Sequence, residues 1–215
     1  KNNKFHYWGK EIANKKINNN VETDQIFPEN LKDYNLFNRR LIKESIKKIT
    51  NIKKHSIWIS RNSALPKEAI INNSNIVWTS GIKTWKELSK RGIWVNGTSD
   101  GMGEDFKTNI NTLTKYPWLK LTHKSAPISL IKKRIDSYEL LKNPLKLKFE
   151  GKKYFYWMSY SAFKYVLDKH PKIINGYHSC GPGNTYKEIK KILGENGNLE
   201  IFLSYESWKN FLLTR

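Results

Sequence analysis

Hydroxyl side chains stand at the ends of two β-rich runs, where the chain turns toward a helical pattern. Thr79 and Ser80 close the run that begins at Ile76, and Ser159 and Ser161 follow the run 154–158. A hydroxyl oxygen in this position can accept a hydrogen bond from the free amides that open the next helix. The same amides, together with the helix dipole, attract a carboxylate or a phosphate. The sequence therefore supports a capping role and an anion-binding role, which can hold together.

A glycine-rich turn is a second candidate for binding an anion. Gly181, Gly183, Asn184 and Thr185 belong to the run GPGNT. Small residues let backbone amides approach an anion, and an Asn or Thr side chain can add a contact. No Gly-Lys-Ser/Thr closes the run, so it is not a Walker loop, and a plain tight turn is the alternative. Thr98 lies in a similar glycine turn, to which we assign no nucleotide.

Conventional catalytic groups are sparse in this sequence. The five histidines are scattered without the offsets of a helical metal site, and the single cysteine excludes a Cys-pair metal site. The sequence contains no G-x-S-x-G motif, so no motif of this kind supports hydrolase chemistry. Tyr138 lies in the segment DSYE at a predicted crossover, where its phenol could reach a cleft. An ordinary packed tyrosine is the alternative interpretation, and we predict no metal site.

These residues need a scaffold, and from residue 56 onward the chain alternates β-rich runs with helical spacing. The β-rich runs are 56–60, 75–79, 93–96, 118–122, 154–158 and 198–203. The helical patterns are 83–91, 104–115, 126–134, 161–169, 184–193 and 205–213. Alternation at this spacing predicts parallel βαβ units with helices on both faces of a sheet.

Two parts of this alternation repeat the same order of elements. Residues 76–98 and 155–185 each contain a strand, a hydroxyl-rich turn, a helix, a second strand and a glycine turn. The repeated order predicts two related α/β halves. Residues 137–151 lose helical periodicity, and we interpret them as the crossover between the halves.

The first 55 residues are less regular than the rest of the chain. A strand at 5–8, an Asn-rich turn at 18–20 and a helix at 36–49 are the elements that their pattern predicts.

Composition predicts a folded protein with an unusual charge. Eight Trp, eleven Tyr and nine Phe among 215 residues are too many for a disordered chain. No run reaches the roughly 18 to 20 apolar residues of a spanning helix, so we expect no membrane and a cytoplasmic location. The formal charge is +20. It fits a solvated basic surface or the attraction of a polyanion, which could be nucleic acid, an anionic membrane or a multiply charged small molecule.

The pattern resembles the uroporphyrinogen-III synthase family. The resemblance rests on the strand end 77–80, the segment 157–163, the turn 178–185 and the closing segment 202–208. These segments follow the family in order and spacing over roughly residues 75–215.

The resemblance implies two parallel-sheet α/β domains with a cleft between them, joined by a short two-stranded connector. Domain one would comprise residues 1–34 and 141–215, with both chain ends, and domain two residues 35–140. The active site would lie in the cleft.

The resemblance also implies a reaction in tetrapyrrole and heme biosynthesis. The family closes the linear tetrapyrrole hydroxymethylbilane into a macrocycle, inverting the last pyrrole ring with loss of water, and uses no metal or organic cofactor. Tyr138 would assist departure of the hydroxyl as a general acid or through water. The expected substrate-binding residues are Thr79, Ser80, Thr98, Ser159, Ser161, Gly181, Gly183, Asn184 and Thr185.

The charge has a specific meaning under this resemblance, because the substrate carries acetate and propionate arms that a basic cleft would attract. The expected partners are this small molecule and, as a candidate protein partner, hydroxymethylbilane synthase. The alternative is a basic nucleic-acid-binding α/β protein, whose affinity would fall steeply with salt.

Overall fold

The computed structural model describes residues 4–7, 10–13, 21–31, 34–101, 103–104, 115–127, 130–144, 149–195 and 197–213. The chain divides into two compact units. The first unit takes Lys1–Leu36 and Pro144–Arg215, and the second unit takes Phe37–Asn143. The domain boundaries expected after residues 34 and 140 stay predictions.

The described residues form twelve strands and five α-helices. The strands are β1 (Lys4–Tyr7), β2 (Lys10–Ala13), β3 (Ile26–Phe27), β4 (Phe37–Leu41), β5 (Ser56–Ile59), β6 (Ile76–Thr79), β7 (Gly97–Thr98), β8 (Trp118–His123), β9 (Arg134–Lys142), β10 (Tyr154–Trp157), β11 (Tyr177–Cys180) and β12 (Leu199–Ile201). The helices are α1 (Glu44–Thr50), α2 (Ile82–Ser89), α3 (Tyr160–Lys169), α4 (Asn184–Leu193) and α5 (Tyr205–Leu213).

A four-stranded parallel sheet in the order β12-β11-β10-β3 forms the centre of the first unit. Alternate residues of β10 fill both of its sides. Tyr156 packs against Trp208 of α5, with ring centroids 5.4 Å apart. Phe155 and Trp157 point the other way and stack on His178. A strand buried on both faces is typical of a parallel sheet that helices cover.

The second unit contains a six-stranded sheet in the order β4-β9-β8-β5-β6-β7. All neighbours pair in parallel except β4, which pairs antiparallel with β9. Phe37 pairs with Lys142, so the chain enters and leaves this unit through adjacent strands. The core includes Ile57, Ile59 and Leu121 from the central strands.

Most of the predicted elements are confirmed. The runs 56–60, 75–79, 118–122, 154–158 and 198–203 contain or overlap β5, β6, β8, β10 and β12. The patterns 83–91, 161–169, 184–193 and 205–213 contain or overlap α2, α3, α4 and α5. The two halves predicted from the repeated order are α/β units, with a parallel sheet in the first and a sheet that is parallel except for β4 in the second.

The strand predicted at 93–96 is wrong, because β7 begins only at Gly97. The side-chain Oδ1 of Asn96 accepts a hydrogen bond from the amide of Val77 at 2.9 Å. The amide of Val77, which a longer pairing of β6 with β7 would use as a donor to backbone, is therefore already bonded to a side chain.

The helix predicted at 126–134 is wrong, because residues 130–133 are irregular and Arg134 begins β9. The carbonyl of Lys133 accepts a hydrogen bond from the amide of Lys120 at 2.9 Å, which binds the end of this segment into the sheet. Pairing with β8 therefore overrides the local helical spacing.

The helix predicted at 36–49 is wrong at its beginning. Phe37–Leu41 forms β4, and α1 starts at Glu44, because the first part of the segment pairs with β9. The crossover predicted at 137–151 begins inside β9, which continues to Lys142. Residue 8, the turn at 18–20, residues 105–114 and residues 145–148 lie outside the described residues.

Candidate functional site

Three neighbouring strands of the first unit end at one edge of its sheet. Trp157 pairs with Cys180, and Cys180 pairs with Ile201. Adjacent strand ends therefore lie about 4.8 Å apart. The turns that follow, which we name the first carboxyl edge, are 158–159, 181–183 and 202–204. Each turn opens a helix, and the amides at helix N-termini favour an anionic ligand.

Ser159 is the N-cap of α3. Its Oγ accepts a hydrogen bond from the amide of Ala162 at 3.3 Å, which confirms the capping interpretation for this residue. Capping uses the oxygen as an acceptor, so the hydroxyl hydrogen is left to donate to a ligand. Ser161 lies in the first turn of α3, and both serines are half-buried.

The N-terminus of α4 is built from the glycine turn. Gly183 is its N-cap and has no side chain that could accept from the first amides of the helix. Gly181 has open space where a Cβ would stand. Asn184 and Thr185 follow in the first turn and are half-buried. An anion can therefore approach this backbone closely, and the predicted residues of the first unit meet at the first carboxyl edge.

Four strands of the second unit also end side by side. Ile59 pairs with Thr79 on one side and with Leu121 on the other, and Thr79 pairs with Thr98. The turns that follow, which together with the strand ends we name the second carboxyl edge, are 60–61, 80–81, 99–101 and 124–125.

Serine hydroxyls connect these turns. Ser60 Oγ donates to the carbonyl of Leu121 at 2.9 Å, and Ser80 Oγ donates to the carbonyl of Ser60 at 2.6 Å. The amide of Gly101 in turn donates to the carbonyl of Ser80 at 2.8 Å. Ser80 therefore links three turns of the second carboxyl edge, and its hydroxyl proton has a structural role. The capping interpretation is wrong for Ser80, because Gly81 is the N-cap of α2 and no side chain caps that helix.

The two threonines predicted to bind substrate have different surroundings. Thr79 is fully buried, and its Oγ1 donates to the carbonyls of Gly81 and Gly97 at 3.4 and 3.5 Å. Thr98 is half-buried, and its Oγ1 accepts from the amide of Asp100 at 3.2 Å. Thr98 keeps a hydroxyl donor for a ligand, whereas the hydroxyl of Thr79 is directed into the unit.

Tyr138 lies in β9, within the core of the second unit, and only 3% of it is exposed. Thr122 pairs with Asp136 and His123 pairs with Tyr138, so Ser137 is an extra residue in β9. Such a β-bulge re-aims the side chains that follow it and is frequent beside active sites. Here it places the Tyr138 ring against His123, with centroids 5.8 Å apart.

His123 is a functional candidate that the sequence pattern did not distinguish from the other histidines. Burial, with the positive charges of Arg61, Lys120, Arg134 and Arg39, lowers the pKa of His123 to about 4. The ring is therefore neutral at pH 7. The signal that could have found it is its position at the end of the alternating run 118–123.

A buried ion pair anchors the loop that leaves β7. Lys120 Nζ of β8 contacts Glu104 Oε1, and both side chains are almost fully buried. The pair fixes the far end of the glycine turn 99–101 to the centre of the sheet. Sequence reasoning missed it, because 16 positions separate the partners.

The described parts of the chain contain no cluster of three His, Cys, Asp or Glu side chains placed to hold a metal ion. Within the same ranges, no helix has the length and apolar character needed to cross a membrane.

The fold is similar to a crystal structure of a mutant uroporphyrinogen III synthase from the extremely thermophilic bacterium Thermus thermophilus. The similarity covers 84% of this chain and 88% of that chain, with a TM-score of 0.51 and 9% sequence identity. At this identity the likeness concerns the fold. No family model and no curated protein sequence matches the chain. The resemblance and the predicted α/β fold class are confirmed at the level of the fold.

Proposed function

We propose that this protein is a uroporphyrinogen-III synthase, which cyclises hydroxymethylbilane with inversion of the last pyrrole ring and loss of water. The observation that carries the proposal is the fold of two parallel-sheet α/β units, similar to that of the Thermus thermophilus enzyme. As proposed, the protein is a lyase that needs no metal or organic cofactor.

The first carboxyl edge supports this substrate class. Hydroxymethylbilane carries acetate and propionate arms, and the N-terminal amides of α3 and α4 suit a carboxylate. Ser159, Asn184 and Thr185 would add side-chain contacts, and Gly181 and Gly183 would let the arm approach the backbone.

The second carboxyl edge would contribute differently. Thr98 has a hydroxyl donor for a carboxylate arm, whereas Ser80 and Thr79 would act by holding the turns in place. The charge of +20 would raise the local concentration of a polyanionic substrate. Each exposed charge pair would add only about 0 to 1 kcal/mol.

Positioning would supply most of the catalysis. Hydroxymethylbilane cyclises without help, so the enzyme has to hold the conformation that favours attack at the substituted carbon. The carbon–oxygen bond of the hydroxymethyl group breaks, and the hydroxyl takes a proton and leaves as water. The methylene carbon then bonds to the substituted carbon of the last ring, whose bond to its existing methylene bridge breaks. That bridge carbon bonds to the unsubstituted carbon of the same ring, which loses its proton, so the macrocycle closes with the ring inverted. Tyr138 would provide the proton that the leaving hydroxyl takes. Because only 3% of Tyr138 is exposed, we favour transfer of the proton from its phenol to the leaving hydroxyl through a water molecule.

The test supplies freshly generated hydroxymethylbilane, oxidises the products and separates the porphyrin isomers. The proposal expects protein-dependent enrichment of the inverted isomer over the symmetric isomer that forms spontaneously. A reaction without protein sets the spontaneous ratio, and circular dichroism establishes that the protein is folded. The symmetric isomer alone, formed in the presence of folded protein, would reject the proposal.

Hydroxymethylbilane synthase, which would supply the reactive substrate, is the protein partner that we propose. Faster formation of the inverted isomer when both proteins are present, compared with substrate added separately, would support this partnership. The nucleic-acid alternative stays a prediction, and its test is a steep loss of affinity with rising salt.

A further inference from the structure

His123 is the last residue of β8, so it lies at the second carboxyl edge, on the core face of the second sheet. Leu119 and Leu121 of β8 face the core, and alternate residues of a strand share a face. His123 therefore lies at the end of this face, where Tyr138 contacts its ring. The ring is half-buried and so has one side in the core and one toward solvent.

Arg61 approaches His123 from the neighbouring strand. The amide of Ser60 donates to the carbonyl of Leu121 at 3.2 Å, so the chain after β5 passes beside the end of β8. Arg61 is the next residue, and it is exposed.

Arg39 approaches from the other side of Tyr138. Arg39 pairs with Leu140 of β9, and Leu140 packs against the core cluster that contains Tyr138. Arg39 is also exposed. The charges of both arginines act on His123, where they add to burial in lowering its pKa.

Three nearby carboxylates are engaged with other cations. Glu139 forms ion pairs with Arg40 and Lys124, and Asp136 contacts Arg134 at 3.1 Å. Glu104, which follows the glycine turn, is paired with Lys120. The second carboxyl edge around His123 therefore carries an excess of positive charge.

The ring nitrogens of His123 have different environments. Nδ1 is buried and has no hydrogen-bond partner among the described residues. A buried N–H without an acceptor is costly, so the proton of the neutral ring is better placed on Nε2. Nε2 then offers a donor on the far side of the ring.

We propose that His123, Arg61 and Arg39 form a carboxylate-binding site, with His123 donating through Nε2–H and the arginines through their guanidinium groups. The bound carboxylate neutralises the cluster and lies next to Tyr138. Its identification as an acetate or propionate arm of a linear tetrapyrrole rests on the proposed function, whereas the binding chemistry does not.

The test follows the ring resonances of His123 by NMR at pH 5.5, with tricarballylate as the probe. With its pKa at about 4, the free ring is about 3% protonated at this pH. A carboxylate in contact raises the pKa by at least about one unit, so roughly a quarter of the rings become protonated. The trimethyl ester of tricarballylate and sodium chloride at equal ionic strength should have no such effect.

Matched controls test whether the response to tricarballylate is specific to the site at His123. His178 has a pKa lowered to about 4 by burial in the other unit, so its resonances should not change with tricarballylate. Arg61→Gln and Arg39→Gln, both at exposed positions, should each weaken the effect on His123. The site would be overturned if tricarballylate left His123 unchanged, or if the response of His123 in both variants were as large as in the unchanged protein. A response of His123 in a protein that forms no inverted isomer would reject the proposed function alone.

Discussion

The indole Nε1–H of Trp157 donates a hydrogen bond to Nδ1 of His178 at 3.0 Å, inside the aromatic core of the first unit. The imidazole stacks on Phe155, with centroids 5.3 Å apart, and is almost fully buried. Nδ1 is an acceptor in this bond, so the buried ring is neutral. Burial lowers the pKa of His178 to about 4.

This burial predicts a loss of stability in mild acid. Between pH 6.5 and pH 4 the unfolded state binds more protons than the folded state, so the free energy of unfolding falls as the pH falls. For His178 the fall from pH 7 to pH 5 is about 2 kcal/mol. His178→Gln, which keeps an acceptor for Trp157, should remove that part of the pH dependence in urea unfolding.

Ile189→Val is the matched control for the pH prediction, because Ile189 is a fully buried residue of the same unit that does not titrate. It should lower the free energy of unfolding by about 1 kcal/mol at both pH values. A His178→Gln variant with the pH dependence of the unchanged protein would contradict the prediction.

The buried ion pair predicts a non-additive pair of substitutions. Glu104→Gln leaves the ammonium of Lys120 buried without its counter-charge and should cost about 3 to 5 kcal/mol in urea unfolding. The double variant Lys120→Met with Glu104→Leu removes both charges and should recover most of that loss. Equal stabilities of the single and double variants would show that the charge pairing is not what stabilises this loop.

Replacing either of two glycines of the first unit by alanine should have different effects on stability. A Cβ at Gly176 would stand 2.5 Å from a ring carbon of Phe155 and 2.9 Å from the carbonyl of Lys153. Gly176→Ala should therefore cost about 1 to 3 kcal/mol. A Cβ at Gly181 meets no neighbour, so in Gly181→Ala the free energy of unfolding, measured by thermal denaturation, should change by about 0.5 kcal/mol or less. A destabilised Gly181→Ala variant would contradict the openness of the turn.

Ser159 allows the capping role to be separated from the binding role. Ser159→Ala loses the acceptor for the Ala162 amide and should cost about 1 kcal/mol. Ser159→Asp keeps an acceptor, so its stability should stay near that of the unchanged protein, but its charge would repel a carboxylate arm. We expect the KM for hydroxymethylbilane to rise in Ser159→Asp, and an unchanged KM would remove Ser159 from the binding site.

Tyr138→Phe tests the proposed proton donor. The ring keeps its contacts with the core, so the protein should fold, whereas loss of the phenol should lower kcat by about 100-fold, at the low end for general acids. Tyr165→Phe, at a buried position of the other unit, is the control and should leave kcat unchanged. Unchanged turnover in Tyr138→Phe would exclude the phenol from the reaction.

Local periodicity was sufficient to predict much of this fold. The helical patterns at 184–193 and 205–213 were predictable, because their apolar spacing follows the helical period. The run 154–158 was predictable because a short, continuous apolar run is typical of a strand that is buried on both faces. The hydroxyl and glycine turns were recognisable because their effects are local. Ser159 caps the amide of Ala162, and Gly183 leaves the amides that follow it uncapped by its own side chain.

Tertiary structure decided the rest, because pairing between distant segments outweighs local preference. Phe37–Leu41 is a strand because it pairs with Arg134–Lys142 across about one hundred positions, and Arg134–Lys142 pairs with β8 as well. The bulge at Ser137, which turns Tyr138 onto His123, exists only in the pairing of β8 with β9. The side chains were visible in the sequence, but their meeting at the second carboxyl edge depends on sheet register, which local sequence does not encode.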